Sequence, residues 1–314
     1  MSAPVLSVVI ACYNDPDITN TVQSLWNSVD DVQAVEVVIV DDCSSRPFSV
    51  PVSRVIRNTR RIGCGPSRYV GALAAKGQWL LFVDAHSRFP AGWFDVWARQ
   101  CGMASKTLYC GSCLALPPDN DVTKCGGQYW GATWNFAGAD RNKARATQVL
   151  ECVWGKEQTG PGTETGWDIP AIMGACYFIR RDWFIELGAL KYLKFWSGDE
   201  QQLSLKVMLS GGTIRFMKNV RIGHRFRDGP VPAGFVMPQH ITYNKLFIAW
   251  TCLPPECAQR LQERLQREPQ YRLASRAIQA DWHLVETERA YNSQLFTRSF
   301  RSFLDQFSLS FPDR

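Results

Sequence analysis

Gln78-Trp79-Leu80-Leu81-Phe82-Val83-Asp84-Ala85-His86 is the stretch that decides the fold. Trp79 to Val83 is unbroken apolar, the pattern of a strand buried on both faces. Its end delivers a carboxylate and an imidazole to a sheet edge. In an extended chain residues i and i+2 point to the same side, so Asp84 and His86 are expected to face one point. An oxygen and a nitrogen ligand there suit Mn²⁺ or a similar first-row ion. The alternative is a strand-end Asp that caps the next turn beside a surface His.

Working outward, the same pattern recurs. Val5 to Cys12 is a second buried strand, followed by turn residues Tyr13-Asn14-Asp15-Pro16. Asp17 to Ser28 carries Ile18, Val22, Leu25 and Trp26 at helical spacing. Val35 to Val40 is a strand ended by Asp41-Asp42, and Arg54 to Asn58 reads as a short one. Gly63-Cys64-Gly65-Pro66 leads into a helix from Ser67 to about Lys76, stopped by Gly77. Alternating strands and helices with short links specify an α/β fold, a mostly parallel sheet with helices on both faces. Such sheets bind ligands at the carboxyl ends of their strands. Tyr13-Asn14, Asp41-Asp42 and Asp84-His86 all fall there.

Beyond Phe89 the pattern loosens. Trp93 to Cys101 reads as helix, Thr107 to Leu116 as strand, and Pro117 to Thr165 as glycine-rich, irregular loops. Ile169 to Ile179 reads as one strand, Arg181 to Leu187 and Asp199 to Leu209 as helices, and Thr213 to Phe216 and Val220 to Ile222 as two short strands. From about Pro255 the chain is charged with helical period. The expected organisation is a domain over 1–250, divided into halves 1–116 and 117–250, and a helical appendage over 251–314.

The composition fits a packed enzyme-sized core: 314 residues, 46% apolar, with twelve tryptophans. A net charge of +6 mildly favours anionic partners such as nucleotide-sugars, nucleic acid or anionic glycans. No run reaches the ~18 apolar residues of a membrane span, and the chain starts without a basic leader, so a cytoplasmic location is expected. Eleven scattered cysteines then read as reduced thiols. Cys110 and Cys113 lie three apart on an expected strand, on opposite faces, which argues against a shared zinc ion.

Further groups could carry chemistry. Asp42, after a buried strand, is placed to meet ribose or base, or else caps a turn. Gly63-Cys64-Gly65 lacks the third glycine of a dinucleotide fingerprint, since position 68 is Arg. Arg68, in a first helical turn, opposes the helix dipole and calls for a compensating anion. Trp196-Ser197-Gly198-Asp199-Glu200 sets an aromatic and two acids at a helix start. Glu200 or Asp199 could serve an acceptor hydroxyl as base or orienting group, or simply favour the dipole. His224, after Gly223, is a candidate third metal ligand, and Arg227 a candidate diphosphate contact.

These segments, in order, resemble the GT-A glycosyltransferases of the family 2 type, and most of all the catalytic domain of polypeptide N-acetylgalactosaminyltransferases. The resemblance rests on SVVIACYN (7–14), VEVVIVDDCSS (35–45), KGQWLLFVDAHSR (76–88), IMGACYFIRRDWFIELGAL (172–190), FWSGDEQQLSLKVMLSGGTI (195–214) and VRIGHRFR (220–227). It implies a UDP-sugar donor and Mn²⁺ (or Mg²⁺) held by Asp84, His86 and His224. It implies diphosphate contacts from Arg227, a uridine contact from Asp42, a donor-site role for Arg68, and Trp196 beside the transferred sugar. Glu200 stands where the retaining family has Asn and inverting relatives have their base. The stereochemical outcome is open, as are the donor sugar and the acceptor: a saccharide, a protein, or a hydroxymethylated DNA base of the kind some viral enzymes modify. Competing readings are a nucleotidyltransferase on a similar sheet, and a catalytically inactive binding module.

Overall fold

The computed structural model describes residues 4–102, 104–137, 149–156, 166–226 and 237–312. The N-terminal portion runs β1 (Leu6–Cys12), α1 (Ile18–Trp26), β2 (Val35–Asp41), β3 (Arg54–Arg57), α2 (Cys64–Ala74) and β4 (Trp79–Asp84). Then follow β5 (Ser87–Arg88), α3 (Trp93–Gln100), β6 (Thr107–Ala115), β7 (Gly126–Asn135), β8 (Glu151–Lys156), β9 (Cys176–Arg180), α4 (Arg181–Leu187), α5 (Asp199–Leu209) and β10 (Thr213–His224). Helices α6 (Pro238–Cys252), α7 (Pro255–Leu265), α8 (Tyr271–Ala280), α9 (Trp282–Leu295) and α10 (Phe300–Gln306) complete the chain.

The sheet order is β3-β2-β1-β4-β9-β6-β10-β5, with β7 and β8 extending from β6. β1 is parallel to both β2 and β4, with Ala11 opposite Asp84 and Cys12 opposite Asp41. The strand order reverses between β1 and β4, and the crevice at such a reversal is where open α/β sheets bind ligands. The register therefore lines up the ends of β1, β2 and β4 beside that crevice. β1 and β4 bury their apolar residues on both faces, as the unbroken runs require.

Three expectations are corrected. Pro117 to Thr165 is not irregular throughout, because β7 and β8 pair antiparallel within it. The glycine content of β7 (GGQYWGATWN) lowers local strand propensity, and tertiary pairing overrides it. Ile169 to Ile179 is a strand only from Cys176. Pro170 and Gly174 interrupt the ladder before it, leaving isolated bridges at Asp168 and Ala171. The two short strands after Thr213 are one, β10, with a register shift between Met217 and Arg221.

The C-terminal helices share the main core. Ala258, Leu261, Leu265, Ala274, Ile278, Val285, Phe300 and Phe303 belong to the same buried cluster as Leu80 and Phe82 of β4. A buried charge network adds to this. The Lys206 ammonium on α5 pairs with Glu288 on α9 and donates to the Leu187 carbonyl at 2.7 Å, while Lys191 reaches Glu288 at 3.3 Å. No helix among the described residues is long and apolar enough to cross a membrane.

Candidate active site

Asp84 ends β4 and the chain turns immediately, so Ala85 and His86 are not extended. The alternation of side chains along a strand therefore does not bring Asp84 and His86 together. The turn does, along with β5, which pairs antiparallel with the end of β10 so that His224 lies opposite Ser87. The Arg225 amide donates to the His86 carbonyl at 3.1 Å and closes the contact.

The result is a three-residue cluster. Asp84 Oδ2 lies 3.0 Å from His224 Nε2, and the His86 and His224 Nε2 atoms are 3.1 Å apart. One donor atom from each residue falls within 4.8 Å of the others. Ligands about 2.1 Å from an octahedral ion at right angles are about 3 Å apart, so these spacings fit adjacent corners around one cation. His86 Nδ1 faces Asp15 Oδ2 at 2.8 Å. A carboxylate on the far nitrogen of a ligating imidazole fixes its tautomer and turns the other lone pair to the metal. The chemistry of the donor set thus fits a divalent ion.

Arg68 is 2% exposed and sits at the centre of the wall. Its guanidinium donates to Asp84 Oδ1 at 2.7 Å, to the Gly174 carbonyl at 3.1 Å, and to Asp199. The helix starts at Cys64 rather than Ser67, so Arg68 falls past its first turn, and the anions that meet its charge are two of the chain's own carboxylates. Burial alone would raise the Asp84 carboxyl; the His224 hydrogen bond and Arg68 outweigh it and hold Asp84 well below the usual carboxylate range.

These residues line a cavity of about 480 Å³, together with Tyr13, Asp15, Asp42, Arg61, Trp196, Asp199, Glu200 and Arg225. Asp42 is buried at its floor. Its carboxylate accepts from the amides of Ile62 and Gly63, both at 2.8 Å, and from Asn58 Nδ2 at 2.9 Å. That holds the 62–63 turn, and Gly63 then meets the backbone of Phe195. A Cβ at Gly63, where φ is +106°, would fall 2.2 Å from the Phe195 Cα. Here the glycine serves a close backbone approach.

Trp196 is 48% exposed at the cavity edge. Its loop takes left-handed φ at Phe195, Ser197 and Gly198. The fully buried Asn244 of α6 holds it: Oδ1 accepts from the Lys194 amide at 2.8 Å, and Nδ2 donates to the carbonyls of Lys194 (2.9 Å) and Ser197 (2.8 Å). Gly198 caps α5, so Asp199 and Glu200 open that helix. Asp199 is committed to Arg68. Glu200 is set differently. Burial, then the neighbouring Asp199 charge, push its carboxyl up to about 8, against hydrogen bonds from the Gly174 amide and the Trp154 indole.

Of the residues singled out in the sequence, Tyr13, Asp42, Arg68, Asp84, His86, Trp196, Asp199, Glu200 and His224 line this one cavity. Asn14 does not line it. Its Oδ1 accepts from the Ser45 amide at 2.8 Å and hydroxyl at 2.7 Å, so it ties together the loops after β1 and β2. Arg227 lies outside the described residues. Cys110 and Cys113 are buried on β6, and burial pushes the Cys110 thiol up to about 12.

Sequence reasoning missed Asp15, Arg61, Trp154 and Asn244. Arg61 lines the cavity with its guanidinium 3.9 Å from the centre of the Tyr13 ring. Asp15 sat in a recognised turn, but its partner His86 is 71 residues away. Trp154 came from the segment read as irregular.

This sheet, with acidic and imidazole groups at its switch point, defines a class. The chain belongs to Glycosyl transferase family 2, whose profile matches residues 7–188. Among curated proteins it is similar to Polypeptide N-acetylgalactosaminyltransferase 3 of Drosophila melanogaster, 26% identical over 72% of this chain and 35% of that one. It is likewise similar to the human Polypeptide N-acetylgalactosaminyltransferase 10, 24% identical over 98% of this chain and 50% of the other. The chain spans half or less of the length of these relatives. Among solved structures, GalNAc-T7 crystallised with UDP, GalNAc and Mn²⁺ superposes with a TM-score of 0.71 at 20% identity, over 98% of this chain and 57% of that one. S. aureus TarS with UDP-GlcNAc superposes at 0.52, with 16% identity over 83% of this chain and 70% of that one. Both show the GT-A type of fold.

Proposed function

We propose that this chain is a metal-dependent glycosyltransferase that moves a sugar from a UDP-sugar to an acceptor hydroxyl with inversion at the anomeric carbon. One observation carries the reading: Asp84, His86 and His224 converge at one end of a cavity whose wall also bears Glu200. The family supports it, as do the UDP-containing structures of similar fold.

Asp84, His86 and His224 would hold Mn²⁺ or Mg²⁺, and a bound cation would neutralise the departing diphosphate. Asp15 orients His86. Asp42 and Arg68 keep the donor-side walls in place, and Arg61 brings positive charge to the cavity. Trp196 offers an exposed ring face to the transferred sugar. Glu200, whose carboxyl is pushed up to about 8, takes in its ionised form the proton of the acceptor hydroxyl as that oxygen bonds to the anomeric carbon. The glycosidic bond to phosphate breaks in the same displacement, and UDP leaves with the electron pair.

For the acceptor we favour a saccharide. The described wall beside Glu200 is aromatic and acidic, with Trp154 and Glu151 next to it. Ring faces suit the apolar face of a sugar, and carboxyl groups suit its hydroxyls.

The test is product formation from a panel of UDP-sugars with saccharide, peptide and hydroxymethylated-DNA acceptors, with and without Mn²⁺. The expected outcome is Mn²⁺-dependent release of UDP and an anomer opposite to the donor's, read by NMR. Release of pyrophosphate from a nucleoside triphosphate would replace this reading with nucleotidyl transfer. A retained anomer would remove Glu200 from the role of base. Metal-independent turnover would remove the cation.

A further inference from the structure

We infer that Trp154 is a positioning residue, whose indole N–H fixes the Glu200 carboxylate and so aims it into the acceptor side of the cavity. The inference rests on the reading of Glu200 as base.

Trp154 belongs to β8, outside the segments that carry the resemblance. Its Nε1–H is shared between the two carboxylate oxygens of Glu200, at 2.9 and 3.1 Å. The Gly174 amide, from the segment before β9, also donates to Oε1. A carboxylate with donors from two separate segments has its rotation about χ3 fixed, and the remaining lone-pair directions are the ones available to a hydroxyl. Pre-set orientation is what a base needs before an acceptor arrives.

The indole is itself held in place. Its ring meets Tyr129 edge-on at 6.1 Å and Phe226 at 6.1 Å between centroids, and those two rings lie 5.1 Å apart. Phe226 in turn packs against the ring of His224 at 4.6 Å. One aromatic cluster thus spans from the metal-binding end of the cavity to Glu200. Trp154 remains 40% exposed, so a face is left for the acceptor. An indole that exposes its face while its N–H grips the base can bound the acceptor and orient the group that deprotonates it.

Other charged groups face Glu200. Asp199 precedes it on α5 and is paired with Arg68 from α2. Glu151 at the start of β8 is paired with Lys245 of α6 at 2.8 Å. The thiols of Cys152 on β8 and of Cys110 and Cys113 on β6 lie close by. Asp199 and Glu151 raise the carboxyl, while the indole N–H favours its charged form. Removing the N–H alone should therefore make the carboxylate harder to form.

The experiment is Trp154→Phe, which keeps an aromatic ring and removes the donor. Two readouts are followed. The Glu200 carboxyl titration is observed by carbon-13 NMR in metal-free protein and assigned by its loss in Glu200→Gln. The pH profile of kcat is measured with the best UDP-sugar and acceptor. We expect the Glu200 midpoint to rise by about one pH unit, the size of one hydrogen bond to a charge. The acid limb of kcat should move with it, while the donor KM stays within about twofold of the parent. An unmoved midpoint, or a change confined to the acceptor KM, overturns the inference and leaves Trp154 as a wall residue. A shifted midpoint in a protein that turns over no UDP-sugar leaves the contact standing and overturns the proposed reaction instead. Thermal unfolding of Trp154→Phe checks that the half-exposed site leaves the core intact.

Discussion

At the scale of single residues, the carboxylates of the cavity are sorted by their partners. Asp84 and Asp199 are paired with Arg68, whereas Glu200 meets neutral donors and a like charge. The stability consequence has a definite sign. The folded Glu200 keeps its proton to about pH 8, while the unfolded side chain loses it near 4.5. Between those values the native state binds more protons than the unfolded one, so unfolding free energy falls as pH rises across that window. Glu200→Gln should therefore melt above the parent at pH 9 and close to it at pH 4.5, as differential scanning calorimetry would reveal, while catalytic turnover falls by about two orders of magnitude or more. On the proposed metal reading, His224→Ala removes one of three protein ligands. We expect Mn²⁺ affinity, measured by calorimetric titration, to fall by more than the about 10- to 100-fold typical of losing a partner that orients a ligand, with His86→Ala behaving alike.

At the scale of elements, the cavity depends on joints rather than on long contacts. The 194–198 loop is held from α6 by one buried amide, and from the 62–63 turn by a backbone approach that only glycine allows. Asn244→Ala leaves the Lys194 amide and the Lys194 and Ser197 carbonyls without their partner. It should cost about 2–3 kcal/mol in urea unfolding and raise the donor KM through Trp196. Gly63→Ala forces apart two backbones that now touch, and its cost should appear in the same two measurements. Local reading was sound for β1, β2, β4 and α5, where the periodicity is strong. It failed at β7 and β8, because their stability comes from β7 pairing with β6, from β8 pairing with β7 and from interleaved aromatic rings, none of which is encoded within ten residues.

At the scale of the whole molecule, the C-terminal helices are part of the structural core and anchor α5. Glu288 of α9 accepts the buried Lys206 ammonium, which burial pushes below its ordinary range against the pull of that carboxylate. Glu288→Gln leaves a buried cation without its counter-charge and should destabilise the protein by about 3–5 kcal/mol, measured by denaturant unfolding. Truncation after Cys252 would expose the apolar surface that α7, α8 and α9 cover on α6. The shortened chain should lose cooperative unfolding and bind a hydrophobic dye.

The sequence by itself determined the parallel half of the sheet, the strand ends that carry Asp42 and Asp84, and most of the candidate groups that line the cavity. These are local matters: apolar runs, turn residues and helical spacing act over a few positions. Tertiary structure alone decided which groups meet. His224 reaches Asp84 and His86 across about 140 residues because β5 pairs with β10. Arg68 meets two carboxylates because its side chain reaches from α2 to the end of β4 and the start of α5. Glu200 is held by Trp154 because β8 folds back over the cavity. Such meetings depend on strand register and helix packing, which distant parts of the chain set jointly.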